Sequence, residues 1–223
     1  MVFSSFTFLL LFLPAAILST LLCRNVQVKN AVLCLFSFVF YAWGDPVFLL
    51  LMLASIGFNY GIGLGMERFP ARKRGLLLLA LAVNIGAIVY FKYLNLLLDT
   101  WNGIFDTQLP LVKITLPIGI SFYTFQILSY VIDVERGKIS AQRNPVTLAA
   151  YISMFPQLVA GPIVKYTDIE AQLKKRSTSL ARCGQGLERV ILGLSKKVLL
   201  ANNLGLVYDA VRAMEGRSAS YTR

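Results

Sequence analysis

The sequence predicts an all-α protein, a bundle of helices that crosses a membrane several times. Three observations predict it. Hydrophobic residues make up 57% of the 223 and charged residues only 15%, against roughly 25% charged in a soluble domain. The apolar residues fall in runs long enough to span a bilayer core. The 22 Lys and Arg, set against 11 Asp and Glu, gather in short gaps between those runs, which is the positive-inside arrangement of a membrane protein. High hydrophobicity excludes a disordered chain. Basic clusters scattered among short loops do not make the single basic face that nucleic-acid binding needs, so membrane lipid is the expected surrounding and nucleic acid is not a partner.

The first 23 residues carry no charge. A secretory signal would show a basic leader and a shorter apolar core, so residues 3–22 are read as a retained first span, with Pro14 as a tolerable kink. Arg24 and Lys29 mark a basic loop. A second span, 30–44, ends at the turn signal Asp45-Pro46, and a third follows over 47–66. The stretch from Glu67 to Arg74 is the densest early basic loop, and a fourth span covers 75–98. Residues 99–113 are polar and turn-rich, and a fifth span covers 114–132. The segment 146–164 is apolar but interrupted by Pro156, Gly161 and Pro162. A straight lipid-facing helix there would free backbone groups with no water to bond, so a broken or re-entrant segment is expected. Residues 165–182 read as a polar, basic connector. From 186 to 210, Leu187, Val190, Ile191, Leu194 and Val198 recur at helical spacing and predict an amphipathic cytoplasmic helix. No internal repeat is evident.

Polar residues inside the spans are costly and therefore informative. Asn84, Lys92 and Asn95 fall near one helix face, and Lys92 is placed to snorkel to the headgroups. In the fifth span Tyr123, Gln126 and Tyr130 share a face at i, i+3 and i+7, accompanied by Ser121. Interhelical hydrogen bonding and the polar wall of a substrate passage are both open readings of that face. The carboxylates Asp133 and Glu135 are two residues apart and do not face each other on a helix, so they do not form an acid/base pair. Cys23, Cys34 and Cys183 form neither a disulfide framework nor a zinc motif. No metal-ligand cluster, phosphate-binding loop or serine-nucleophile elbow is present. The absence of any histidine excludes a histidine base or ligand within this chain.

A set of motifs then gives the chain a resemblance. It opens Met1-Val2-Phe3-Ser4-Ser5 and carries Phe40-Tyr41-Ala42-Trp43-Gly44 and Asn59-Tyr60. It continues with the run from Leu116 to Gln126, with Ser129-Tyr130 and Asp133, then with the run from Phe155 to Ile163, and last with Gly193-Leu194-Ser195-Lys196-Lys197. In that order and over nearly the whole chain, these motifs resemble the bacterial, alginate-type branch of the membrane-bound O-acyltransferase family. The resemblance implies a multi-pass protein of the bacterial plasma membrane, a helix bundle with a tunnel. It implies transfer of an acyl group from a cytoplasmic donor towards an extracytoplasmic acceptor: here acetyl, from acetyl-CoA, to an exopolysaccharide such as alginate. An extracytoplasmic acetyltransferase partner would complete the transfer, and no cofactor is held. By the same resemblance Ser121, Tyr123, Gln126 and Tyr130 line the passage. Phe155, Pro156, Gln157, Gly161 and Pro162 form a re-entrant wall, or a helix break needed only for packing. Lys196 and Lys197 meet the donor's phosphates or anionic lipid, or simply anchor the helix at the interface.

Two departures from the family matter. Its signature catalytic histidine lies in a later span and this chain has none, so no catalytic residue is assigned. Glu135 stands where relatives often carry an aromatic residue. The expectation is that 1–223 is the front part of a longer acyltransferase and is inactive alone. A non-catalytic membrane scaffold and a transporter component are the alternatives.

Orientation follows from the charges. The loops holding Arg24 and Lys29, Arg68 to Arg74, and Arg136 to Arg143 fall on one side only if the N-terminus faces outward. A reporter fused after Arg74 is expected to read as cytoplasmic and one fused within 99–113 as external, by protease protection. An external reading after Arg74 would reverse the topology.

Overall fold

The computed structural model describes residues 3–158, 161, 163–176 and 179–220. Among them every regular element is helical. The chain divides into two units. One is Ala15–Arg176; the other joins Val2–Pro14 to Ser177–Arg223.

In the first unit α1 (Leu13–Leu22) leads to α2 (Val26–Gly44), α3 (Pro46–Arg68), α4 (Lys73–Ile88), α5 (Leu94–Phe105) and α6 (Ile120–Glu135). Two short helices, α7 (Pro145–Ser153) and α8 (Phe155–Leu158), and then α9 (Tyr166–Lys174) complete it. Local chemistry sets the boundaries. Asn25 caps α2, its side chain accepting from the Gln27 N–H at 2.9 Å. Asp45 stops α2, and Pro46 opens α3 at the first-turn position, where its missing N–H costs nothing. Asn144 caps α7 by accepting from the Val146 and Thr147 N–H groups, with Pro145 just inside. The 23 residues of α3 span about 35 Å, enough for a bilayer core.

Val26–Gly44, Pro46–Arg68 and Pro70–Phe105 are each long and apolar enough to cross a membrane, and the protein is a multi-pass membrane bundle. Thr7–Leu22 is apolar but shorter. The run expected to span over 114–132 is helical only from Ile120 to Glu135. Pro117 and Gly119 account for the late start: Gly119 sits at φ +72°, a left-handed turn that no helix passes through. The fourth span runs on beyond its expected end. α4 continues through a π-helical turn, Val89–Tyr93, into α5.

α3 is the central helix, packing on α2, α4, α6 and α7. Met52, Ile56, Asn59, Gly63 and Met66 form its buried stripe, at the three- and four-residue steps of one helix face. Tyr123, Ile127, Tyr130 and Val134 are the matching stripe of α6. The outer surface keeps Leu50, Leu78, Leu79, Val83, Leu96 and Leu97 exposed, as lipid-facing residues should be. One polar pair ties α3 to α4 in this apolar setting. Asn84 Nδ2 donates to Asn59 Oδ1 at 2.9 Å and Asn59 Nδ2 donates back to Asn84 Oδ1 at 3.2 Å. The second amide hydrogen of each serves its own helix, at the Ala80 and Ser55 carbonyls, both at 2.8 Å. Each amide is therefore satisfied without water.

Beyond α5 the chain runs from 107 to 119 without helix or strand. Asparagine side chains hold it to α5. Asn95 donates to the Val112 carbonyl at 2.8 Å and accepts from the Val112 N–H at 3.0 Å. Asn102 does the same with Leu109, at 3.0 and 2.9 Å. Asn95 thus belongs to this strap rather than to a polar face shared with Asn84 and Lys92. Lys92 is exposed, its ammonium 5.4 Å from the Tyr93 ring centroid.

The second unit holds α10 (Leu180–Ser195), a π-helical turn Lys196–Ala201 and α11 (Asn202–Ser220). Its helical path extends well beyond both ends of the expected 186–210. Ala181–Arg212 is also long and apolar enough to cross a membrane. Its N-terminal stretch carries the π-helical turn Thr7–Phe12, with Phe8 stacked on Phe12 at 5.7 Å.

The asparagine pair gives a direct test. Asn59→Leu strands the amide of Asn84 in an apolar interface and is expected to cost about 1–2 kcal/mol. The double change Asn59→Leu, Asn84→Leu should cost less than the sum of the singles, measured as a double-mutant cycle of unfolding in detergent.

Candidate functional site

The expected site residues on α6 and in 155–161 lie around a hairpin of chain inserted into the bundle. Residues 141–145 approach α3 and α6, α7 runs inward, α8 forms the tip, and the chain returns to α9 beside its point of entry. The entrance is fastened by one glutamine. The Gln142 N–H donates to Tyr130 Oη at 2.9 Å, and Gln142 Nε2 donates to Tyr166 Oη at 2.7 Å. The Tyr166 ring meets Tyr130 and Tyr151 edge to face, at 5.3 and 5.2 Å. Burial pushes the Tyr166 phenol above its ordinary pKa, so it stays a neutral donor and acceptor. Asn30 of α2 donates to the Leu173 carbonyl at 3.0 Å and accepts from Arg176, fixing the returning chain.

Tyr130 is fully buried, and its hydroxyl lies where a Cβ on Gly63 would stand only 2.9 Å away. Gln126 is buried at 2% exposure. Its Nε2 donates to Gln157 Oε1 at 3.1 Å, while its own Oε1 has no partner among the described residues. Tyr151 Oη donates to the Val164 carbonyl at 2.8 Å and lies 3.4 Å from the Gln126 carbonyl. At the tip, the Phe155 N–H donates to Ser37 Oγ at 3.2 Å, and the Phe155 ring packs on Phe40 at 5.6 Å. Pro156 is exposed, and Gln157 and Ser121 are half-buried. The Gly161 N–H donates to the Gln157 carbonyl at 3.1 Å. A Cβ on Gly161 would come within 2.6 Å of Gln157 Cα, so the close return of the chain requires glycine. Pro162 lies outside the described residues.

Tyr123 also borders a slot of about 270 Å3 between α3, α4 and α6, which Ser55, Phe58, Val83, Asn84 and Thr124 line with it. Lys196 and Lys197 belong to the second unit. Lys196 is exposed, and Lys197 donates to Ser4 Oγ at 3.3 Å within the second unit.

Tyr41, Gln142, Tyr151 and Tyr166 were not among the expected site residues. Tyr41 is buried in the same core cluster as Tyr123, and its hydroxyl has no partner. It stands in the Phe40–Gly44 motif, which was the available signal. Gln142 looks like any loop residue, and no pattern in the sequence reveals its role.

Chemically the interior offers neutral hydrogen-bonding groups. Gln126 Oε1 is an unengaged buried acceptor and Tyr41 Oη an unengaged donor and acceptor. Such groups can hold a hydroxyl or carbonyl in an apolar setting. They cannot take up a proton as a base near neutrality. Asp133 is paired with Lys138 at 3.6 Å, and no cluster of three or more metal-ligating side chains occurs among the described residues.

The fold and this interior define a class: a polytopic helix bundle with a polar, proline- and glycine-broken hairpin inside it. Comparison with known proteins finds similarity to O-acetylases. The chain is 38% identical over 222 residues to the probable alginate O-acetylase AlgI of Pseudomonas aeruginosa, covering 96% of this chain and 42% of that protein. The probable alginate O-acetylase of Azotobacter vinelandii is 39% identical over 216 residues, 94% of this chain and 43% of its own length. The peptidoglycan O-acetyltransferase of Helicobacter pylori is 30% identical over 236 residues, 91% of this chain and 45% of its own length. The chain is a homologue of these O-acetylases over less than half of their length. No family model and no solved structure matches it.

The hairpin tip rests on Gly119, where a Cβ would meet the Leu158 carbonyl at 2.7 Å in a backbone at φ +72°. Gly137, at φ +70°, has open space around it. Both Gly→Ala changes incur the left-handed backbone cost of about 1–2 kcal/mol. Gly119→Ala is expected to lower Tm clearly further, because it also displaces the tip. Equal shifts by thermal unfolding in detergent would disprove the contact.

Proposed function

We propose that the chain forms the passage-lining part of a membrane O-acetyltransferase that acts on an extracellular polysaccharide. The observation that carries the reading is the 38% identity to alginate O-acetylases along nearly the whole chain. The buried row of Tyr123, Gln126 and Tyr130, closed by the hairpin, supports it. Acetyl-CoA is the proposed donor, entering from the cytoplasmic side, and the acceptor is a hydroxyl-bearing polysaccharide such as alginate, reached with an extracytoplasmic acetyltransferase partner. The loop charges favour an N-terminus outside the plasma membrane. The charged residues Arg182, Glu188, Arg189, Lys196 and Lys197 favour an interfacial position for the helical run Ala181–Arg212, and the length of that run would also allow a crossing.

In acetyl transfer a hydroxyl oxygen attacks the thioester carbonyl, the new C–O bond forms, and the C–S bond breaks to release the thiol, which takes the hydroxyl proton. Gln126 and Tyr41 can orient the carbonyl or the hydroxyl within the passage. The proton must be moved by a base, and this chain offers none among its neutral interior groups.

A chimera tests the reading. This chain replaces the matching segment of the Pseudomonas aeruginosa alginate O-acetylase, and acetyl groups on secreted alginate are counted. The chimera is expected to restore acetylation, and Gln126→Ala within it to lower acetylation about tenfold, the loss of roughly one positioned hydrogen bond. A chimera that reaches the membrane intact but leaves alginate unacetylated would favour the scaffold or transporter alternatives. The purified 223-residue chain, given acetyl-CoA in liposomes, is expected to transfer no acetyl group.

A further inference from the structure

The arginine-rich end of the first unit carries a cleft separate from the polar interior. It is an open surface cleft of about 540 Å3, lined by Tyr60, Leu64, Glu67, Arg68 and Arg143, a volume within the usual range for a small-ligand site. Two hydrogen bonds build its walls. Tyr60 Oη donates to the Arg143 carbonyl at 2.7 Å, and Glu67 Oε1 accepts from the Ala141 N–H at 2.6 Å. They hold 141–143 against α3 and so place Arg143 beside Arg68, which stands in the last turn of that helix.

Neither arginine is neutralised. The ion pairs among the described residues are Lys138 with Asp133 and Lys174 with Glu170. Glu67 is the one carboxylate in the lining. One of its oxygens is committed to Ala141, and it makes no further hydrogen bond among the described residues. Leu64 and the Tyr60 ring add apolar surface, and the cleft sits where a membrane-crossing helix ends in basic residues, at the level of lipid headgroups.

This combination selects a ligand. Guanidinium groups bind phosphate oxygens in pairs, with geometry that an ammonium cannot supply. Basic pockets between spanning helices attract anionic headgroups. A carboxylate in the same lining as the arginines repels a dianionic phosphomonoester but accepts a hydrogen bond from a hydroxyl. The apolar lining suits the start of an acyl chain. We propose that the cleft holds the headgroup of an anionic phosphodiester lipid, its phosphate on Arg68 and Arg143 and a headgroup hydroxyl on Glu67.

The test uses the 223-residue chain in nanodiscs of phosphatidylglycerol and phosphatidylcholine, with retained lipid identified by native mass spectrometry. Wild type is expected to keep phosphatidylglycerol. Arg68→Ala with Arg143→Ala should lower its retention about 30-fold, the loss of two arginine–headgroup attractions. Leu64→Trp, which fills the cleft and leaves both arginines, should also lose it, while the loop variant Arg72→Ala with Arg74→Ala should keep it. Glu67→Gln should erode the preference for phosphatidylglycerol over phosphatidic acid. Undiminished retention in both cleft variants would overturn the proposal, as would equal loss in the loop variant. So would glycerol phosphate staying bound in place of the lipid, because the cleft would then serve a soluble phosphate.

Discussion

A chain that enters a membrane bundle and leaves again by the same end must close its own backbone hydrogen bonds, because lipid offers none. The rest of the first unit is arranged around that demand. Gln142 answers it at the mouth by joining Tyr130 to Tyr166. Tyr151 answers it along the return by taking the Val164 carbonyl, and Ser37 answers it at the tip by taking the Phe155 N–H. Ser37 and Tyr151 come from helices that also pack in the core, and Gln142 comes from the loop that leads into α7. The hairpin is therefore specified by polar contacts and held in place by apolar ones.

Glycine sets how closely the parts approach. Gly63 leaves room for the Tyr130 hydroxyl, Gly119 for the Leu158 carbonyl and Gly161 for Gln157. All three lie beside the inserted chain, where backbone meets side chain or backbone at a distance no other residue permits. Three buried polar atoms, Gln126 Oε1, Tyr41 Oη and Arg176 Nε, have no hydrogen-bond partner among the described residues. An unsatisfied buried group is costly. Gln126 Oε1 and Tyr41 Oη are buried in the bundle, in contrast to the amides of Asn59 and Asn84, which are fully paired.

Much of this was legible in the sequence because membrane physics writes in long apolar runs. The runs giving α2, α3 and α4 announced their helices, the breaks at Pro156 and Gly161 announced the hairpin, and the three-and-seven spacing of Tyr123, Gln126 and Tyr130 announced a shared face. The start of α6 was less legible, because an apolar run says nothing of where a left-handed glycine interrupts it. Partners distant in sequence were not legible at all. Gln142 reads as loop and Asn95 reads as a polar residue within a span, yet each is defined by residues 12 to 24 positions away. The long helix from 180 to 220 exceeded the amphipathic stretch assigned to it because helical spacing of apolar residues fades at 210 while helix-forming residues continue.

The asparagine strap has a mechanical consequence. With Asn95 and Asn102 each gripping a backbone unit of the following segment, residues 109–112 are riveted to α5 at two points, so their spacing is dictated by two turns of helix. Force applied to that segment travels into the helix as a rigid rod instead of being absorbed by a slack tether. The slack that remains is confined to the few residues between Val112 and Gly119.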